Sequence, residues 1–72
     1  MKKSKWEIRR TVEVSVLGKI TATAGTLNSL SILLMELADK NRKDGQNAIA
    51  DLRDEQSYQI YAALRKTGFY DD

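Results

Sequence analysis

The 72-residue chain contains no cysteine, no histidine and no proline, and has only four glycines, one tryptophan and one phenylalanine. Without cysteine there is no disulfide, and without cysteine or histidine there is no ordinary zinc site to staple the fold. The same two absences remove the usual general base and the usual thiol nucleophile, and no serine or lysine sits in an activating motif, so an enzyme is not expected. No cofactor or metal is expected either. The run 39–51, DKNRKDGQNAIAD, fails as a calcium loop, because Gly45 at the sixth position puts Lys40 and Arg42 where acids belong. The four glycines form no phosphate-binding loop. Long apolar runs are missing too: the longest without an aromatic residue, 32–35, is far short of the roughly 20 residues of a membrane span. The start, MKKSKWEIRR, is basic but lacks an apolar segment behind it, so a cytoplasmic protein is expected.

A chain of this length makes a single domain, 1–72, that withdraws only about 60% of its unfolded surface from water. Oligomerisation is the staple left to it, so a homodimer is expected. Charge is unevenly spread. Residues 1–24 carry six basic and two acidic side chains, a net +4, and residues 25–72 carry six basic and eight acidic ones, a net −2. The basic half permits an anionic partner, nucleic acid or a nucleotide, and equally a contact with acidic helices.

What is present is alternation. In residues 5–16, KWEIRRTVEVSV, Trp6, Ile8, Val12, Val14 and Val16 occupy even positions and polar residues the odd ones, the pattern of a half-buried strand. Ile20, Ala22 and Ala24 alternate with Thr21 and Thr23 in a second strand. A three-residue loop 16–18 with Gly18 left-handed would pair Val14 with Ile20, Val12 with Ala22 and Arg10 with Ala24, keeping apolar faces together. Residues 5–9 then overhang their partner strand, which invites another chain to complete the sheet through a strand edge. The alternative is that the overhang frays and Trp6 folds back onto a helix.

Thr26 suits the N-cap of a helix over 27–43, ended by Asp44-Gly45. Leu27, Leu30, Leu33, Leu34, Leu37 and Ala38 form its apolar face, and Ile32 and Met35 fall on the polar side, where a partner contact is one reading and ordinary surface the other. A second helix is expected over 47–67, with Ile49, Leu52, Ile60, Ala63 and Leu64 inward. Gln56 interrupts that face, and Asp54 offers a cap for a separate helix starting near Glu55. Gly68 fits a Schellman ending that returns Phe69 to Leu64, leaving residues 70–72 as a short tail. The expected fold is α+β in ββαα order, a hairpin packed by two helices.

The candidate contact residues are Trp6, Arg9 and Arg10 on the first strand and Tyr58, Tyr61 and Arg65 on the second helix. Trp6 and the arginines belong to residue types enriched at interface hot spots, though Trp6 equally suits capping the core and Arg10 covering its edge. Asp54, Tyr58, Tyr61 and Arg65 share one outer stripe at i, i+4, i+7 and i+11. The functional expectation is a small non-enzymatic module that occupies a partner protein's surface, as an accessory protein or inhibitor does. The alternative is nucleic-acid or nucleotide binding through Lys2, Lys3, Lys5, Trp6, Arg9, Arg10 and Lys19.

Overall fold

The computed structural model describes residues 4–71; Lys2 and Lys3 lie outside the described residues. A 3₁₀ turn, Lys5–Glu7, leads into strand β1, Arg9–Val14, which pairs antiparallel with β2, Gly18–Thr23. Helices α1, Ala24–Lys43, and α2, Asn47–Lys66, follow and pack against the hairpin, giving the expected α+β fold in ββαα order.

The hairpin register differs from the expected one. Val14 pairs with Gly18, Val12 with Ile20, Arg10 with Ala22 and Arg9 with Thr23. This is a slide of two residues, which preserves the side-chain faces because strands alternate with a period of two. The cause lies in α2. Gln56 Nε2 donates to the Ser15 carbonyl, Gln59 Oε1 accepts from the Ser15 amide and Gln59 Nε2 donates to Ser15 Oγ, each at 2.8 Å. Ser15 is thereby held by the helix instead of the ladder, and the loop becomes residues 15–17. Gly18 is left-handed at φ 78°, as expected, but so is Val16 at φ 69°, where a β-branched side chain is strained.

The slide also removes the expected overhang. The Ala24 amide donates to the Ile8 carbonyl at 2.8 Å, adding one rung beyond the ladder, and residues 5–7 wind into the 3₁₀ turn instead of extending as strand. Trp6 lies over the first turn of α1, where a Cβ on Gly25 would come within 3.2 Å of both its ring and its carbonyl. Its indole meets the Phe69 ring edge-on at 4.7 Å.

Helix α1 begins at Ala24, three residues before the expected Leu27, because Thr23 and not Thr26 is the N-cap. The Thr23 hydroxyl accepts from the Thr26 amide at 3.2 Å. Both helices end in Schellman motifs on left-handed glycines. Gly45 and Gln46 bond back to Arg42 and Asn41, and Gly68 and Phe69 to Arg65 and Leu64. Phe69 is thus returned to the core beside Leu64, as expected. Helix α2 is continuous through Asp54. Gln56 is buried because its amide serves Ser15, which accounts for a polar residue on an apolar face.

The core joins Val12 and Val14 of β1 to Ala24, Leu27 and Leu34 of α1 and to Ile60, Leu64 and Phe69. Leu33 and Ile49, expected inside, stand at its margins and stay exposed. The helices meet through small residues. Ser31 Oγ donates to the Ser57 carbonyl at 3.1 Å, Ser57 Oγ donates to the Ser31 carbonyl at 2.8 Å, and the hydroxyls lie 3.0 Å apart. Fully buried Ala38 and Ala50 stand one heptad further along each helix from that contact.

Val16 is 83% exposed, so its side chain contributes nothing to packing that would offset its backbone strain. Val16→Asn removes a penalty of about 1 kcal/mol, since asparagine tolerates the left-handed region. Thermal unfolding should shift upward by about 4–8 °C; an unchanged midpoint would show that the turn is not strained.

Candidate functional site

The helical layer has two flanks. On one, Leu30 and Ala63 pack towards the core beneath the hairpin. On the other, α1 presents Asn28, Ile32, Met35 and Asp39, and α2 presents Asp54, Tyr58, Tyr61 and Arg65, both sets at i, i+4, i+7 and i+11. Between them runs an open groove of about 340 Å³, floored by Ser31 and Ser57 and walled by Met35, Asp54, Tyr58 and Tyr61. Met35 is 56% exposed and Tyr58 65%, with Ile32 half exposed beside them.

A third segment extends this surface. The expected tail is instead packed back: Tyr70 stacks obliquely on Tyr61 at 5.1 Å and donates its hydroxyl to Asn28 Oδ1 at 2.7 Å. Tyr58 and Tyr61 are 6.3 Å apart, so the three tyrosines form one continuous strip across α2 and the C-terminal segment. Tyr70 was not singled out from the sequence. Its signal was there in the Schellman ending, which turns the chain back so that the residue after Phe69 must follow it along α1 and α2.

At one end of the face the aspartates Asp39, Asp51 and Asp54 stand against Arg42 and Lys43 of the last turn of α1. Arg42 at the end of α1 bridges Asp51 at 3.1 Å and Asp54 at 2.5 Å, while Asp39 stands close by on α1. The two carboxylates, Asp54 first, raise the guanidinium pKa further above its already high ordinary value. The other end carries Arg65, which makes no ion pair among the described residues.

The residues expected on the basic strand are dispersed. Arg9 points to the open outer face of the hairpin and Arg10 to the inner face, as neighbours on a strand must. Arg10 lines a hollow of about 70 Å³ with Lys5, Ile8, Thr67, Gly68 and Phe69 at the end of α2. Lys5 Nζ donates to the Asp71 carbonyl at 2.8 Å and sits 5.8 Å from the centre of the Phe69 ring. Lys19 pairs with Glu13 near the turn, four rungs and about 13 Å from the Arg9 rung. Trp6 is half exposed but committed to Phe69 and Gly25.

A larger hollow of about 520 Å³ lies under the hairpin turn, lined by Glu13, Ser15, Val16 and Gln59. The polar groups of Ser15 and Gln59 there already satisfy one another. Among the described residues no group of three or more Asp and Glu side chains is placed to hold a metal ion, and no helix is long and apolar enough to cross a membrane. No protein family, curated protein or solved structure matches the chain.

Partial burial, and secondarily the neighbouring Tyr61, push the Tyr70 hydroxyl pKa above its ordinary value of about 10. The folded state therefore holds this proton more tightly than the unfolded chain does. The resulting stabilisation is complete below pH 10 and is lost as pH rises through the folded-state value. In a tyrosinate absorbance titration one tyrosine should ionise later in native than in denatured protein, and Tyr70→Phe should remove that late step. Coincident titrations of native protein and denatured chain would refute the shift.

Proposed function

We propose that the protein is a small, non-enzymatic binding module that acts by occupying the surface of a partner protein with the groove face of its two helices. The single observation that carries this reading is the convergence of Ile32 and Met35 from α1, Tyr58 and Tyr61 from α2 and Tyr70 from the C-terminal segment on one exposed face. Tyrosine, methionine and arginine are the residue types enriched at protein interfaces, and tyrosine offers a large amphipathic surface with few rotamers to immobilise. Four side chains of these types, with Ile32 beside them, come from three segments to make one patch, whereas isolated exposed apolar residues are ordinary. Arg65 and Asp54 at the ends of the patch supply the polar rim that fixes orientation.

The reading is tested by affinity capture from the native cell, followed by calorimetry with the captured protein. Tyr58→Ala with Tyr61→Ala should weaken binding at least tenfold, about 1.4 kcal/mol or more. Tyr58→Ala alone should also weaken binding, while its unfolding midpoint moves by less than about 4 °C, since Tyr58 is largely exposed. Arg9→Ala, on the opposite side of the hairpin, should bind as the wild type does. Undiminished binding by the double variant would sink the proposal.

A further inference from the structure

The outer stripe of α2 is symmetric about its own midpoint. Tyr58 and Tyr61 lie equally far on either side of the point between Gln59 and Ile60, and Asp54 and Arg65 lie equally far beyond them, with opposite charges. Read in either direction the order is charge, tyrosine, tyrosine, charge, over about 16 Å of helix. A two-fold axis crossing α2 at that midpoint would lay a second α2 antiparallel on the first. Each Tyr58 would then meet the other copy's Tyr61, and each Asp54 the other copy's Arg65. A two-fold interface must be self-complementary in this way, residue i meeting j while j meets i.

We propose that in the free protein the groove face is occupied by a second copy of this chain, paired antiparallel through α2. This rests on the reading of that face as a binding surface and names its occupant when no other partner is present. Three observations argue for a second copy over a partner of other chemistry. The charges at the two ends are opposite: Asp39, Asp51 and Asp54 outnumber Arg42 and Lys43 at one end, and Arg65 stands at the other without an ion pair among the described residues. An antiparallel copy brings unlike ends together at both sites, and a parallel one would set like against like. The exposed apolar side chains Ile32 and Met35 and the Tyr70 ring adjoin the tyrosine pair, so the apolar centre extends beyond one helix. Finally, a 72-residue chain without disulfides gains most from covering a face of this kind. The apolar centre supplies the affinity, and the rim charges set direction, because exposed ion pairs contribute little while like charges brought together are strongly unfavourable.

The pairing yields a test by charge exchange, read by sedimentation equilibrium and native mass spectrometry of the full chain. Wild type should show a monomer–dimer equilibrium. Arg65→Asp sets two aspartates against each other at both ends of the dimer and Asp54→Arg sets two arginines, so each variant alone should dimerise at least tenfold more weakly. Mixed together, the two variants should form a heterodimer with wild-type affinity, because every rim contact is again between opposite charges. Asp54 also holds Arg42, so if Asp54→Arg fails to fold, Asp54→Asn in the Arg65→Asp background supplies the same comparison and should recover part of the lost affinity. A wild type monomeric at all concentrations overturns the self-pairing. If that monomer still loses its captured partner on Tyr58→Ala with Tyr61→Ala, the docking surface itself stands. A dimer indifferent to both charge variants places the second copy elsewhere, for example on a strand edge, and overturns the proposal. So does a pair of weakened variants that mixing does not restore, since Asp54 and Arg65 would then not face each other across the interface.

Discussion

The reciprocal hydrogen bonds between Ser31 and Ser57 set the geometry on which the other contacts depend. Two serines whose hydroxyls each reach the opposite backbone carbonyl require the helix axes to approach closely at that level. Ala38 and Ala50, one heptad away, keep the seam narrow. A seam lined by small residues leaves no room between the helices for large ones. Leu27, Leu34, Ile60 and Leu64 therefore fill the side beneath the hairpin, and Ile32, Met35, Tyr58 and Tyr61 are displaced to the other side, where they stay exposed and Tyr70 packs on the edge of the group. The exposed face is thus a product of the same packing that closes the core.

The hairpin is joined to this helical layer by polar contacts as well as by Val12 and Val14. Gln56 and Gln59 use both amides to hold Ser15, satisfying part-buried groups that the strand ladder does not reach. This clamp fixes where β1 stops, and through the register it fixes where β2 begins and how far the N-terminal segment extends. The Trp6 ring then closes the opposite end against Phe69 and the first turn of α1.

Much of the fold was legible because its rules are local. Alternation gave the strands and their faces, helical spacing gave both helices, and Gly68 with Phe69 gave the Schellman ending. The register was not, because a slide of two residues leaves alternation unchanged and only the α2 glutamines distinguish the two alignments. Gln56 read as an interruption for the same reason: its partner lies 41 residues away. In the candidate site, the Asp54, Tyr58, Tyr61 and Arg65 stripe and the odd placement of Ile32 and Met35 were each visible on a helical wheel. That they border one groove depends on the helix crossing, which no single helix encodes. The basic strand divided for a reason available from the start, since adjacent residues such as Arg9 and Arg10 must point to opposite faces.

Among the described residues every side chain buried for its polar contacts, Ser31, Gln56 and Ser57, is uncharged, and the ion pairs all involve Arg42 at the surface. Neutral hydrogen bonds in a packed interior are indifferent to dissolved ions, while exposed charges are screened within about 8 Å at physiological ionic strength. Ionic strength therefore acts on what this molecule presents to its surroundings and leaves its architecture alone. A protein whose folding and whose surface respond to different variables can have its associations strengthened or weakened by the medium without any change in its own shape.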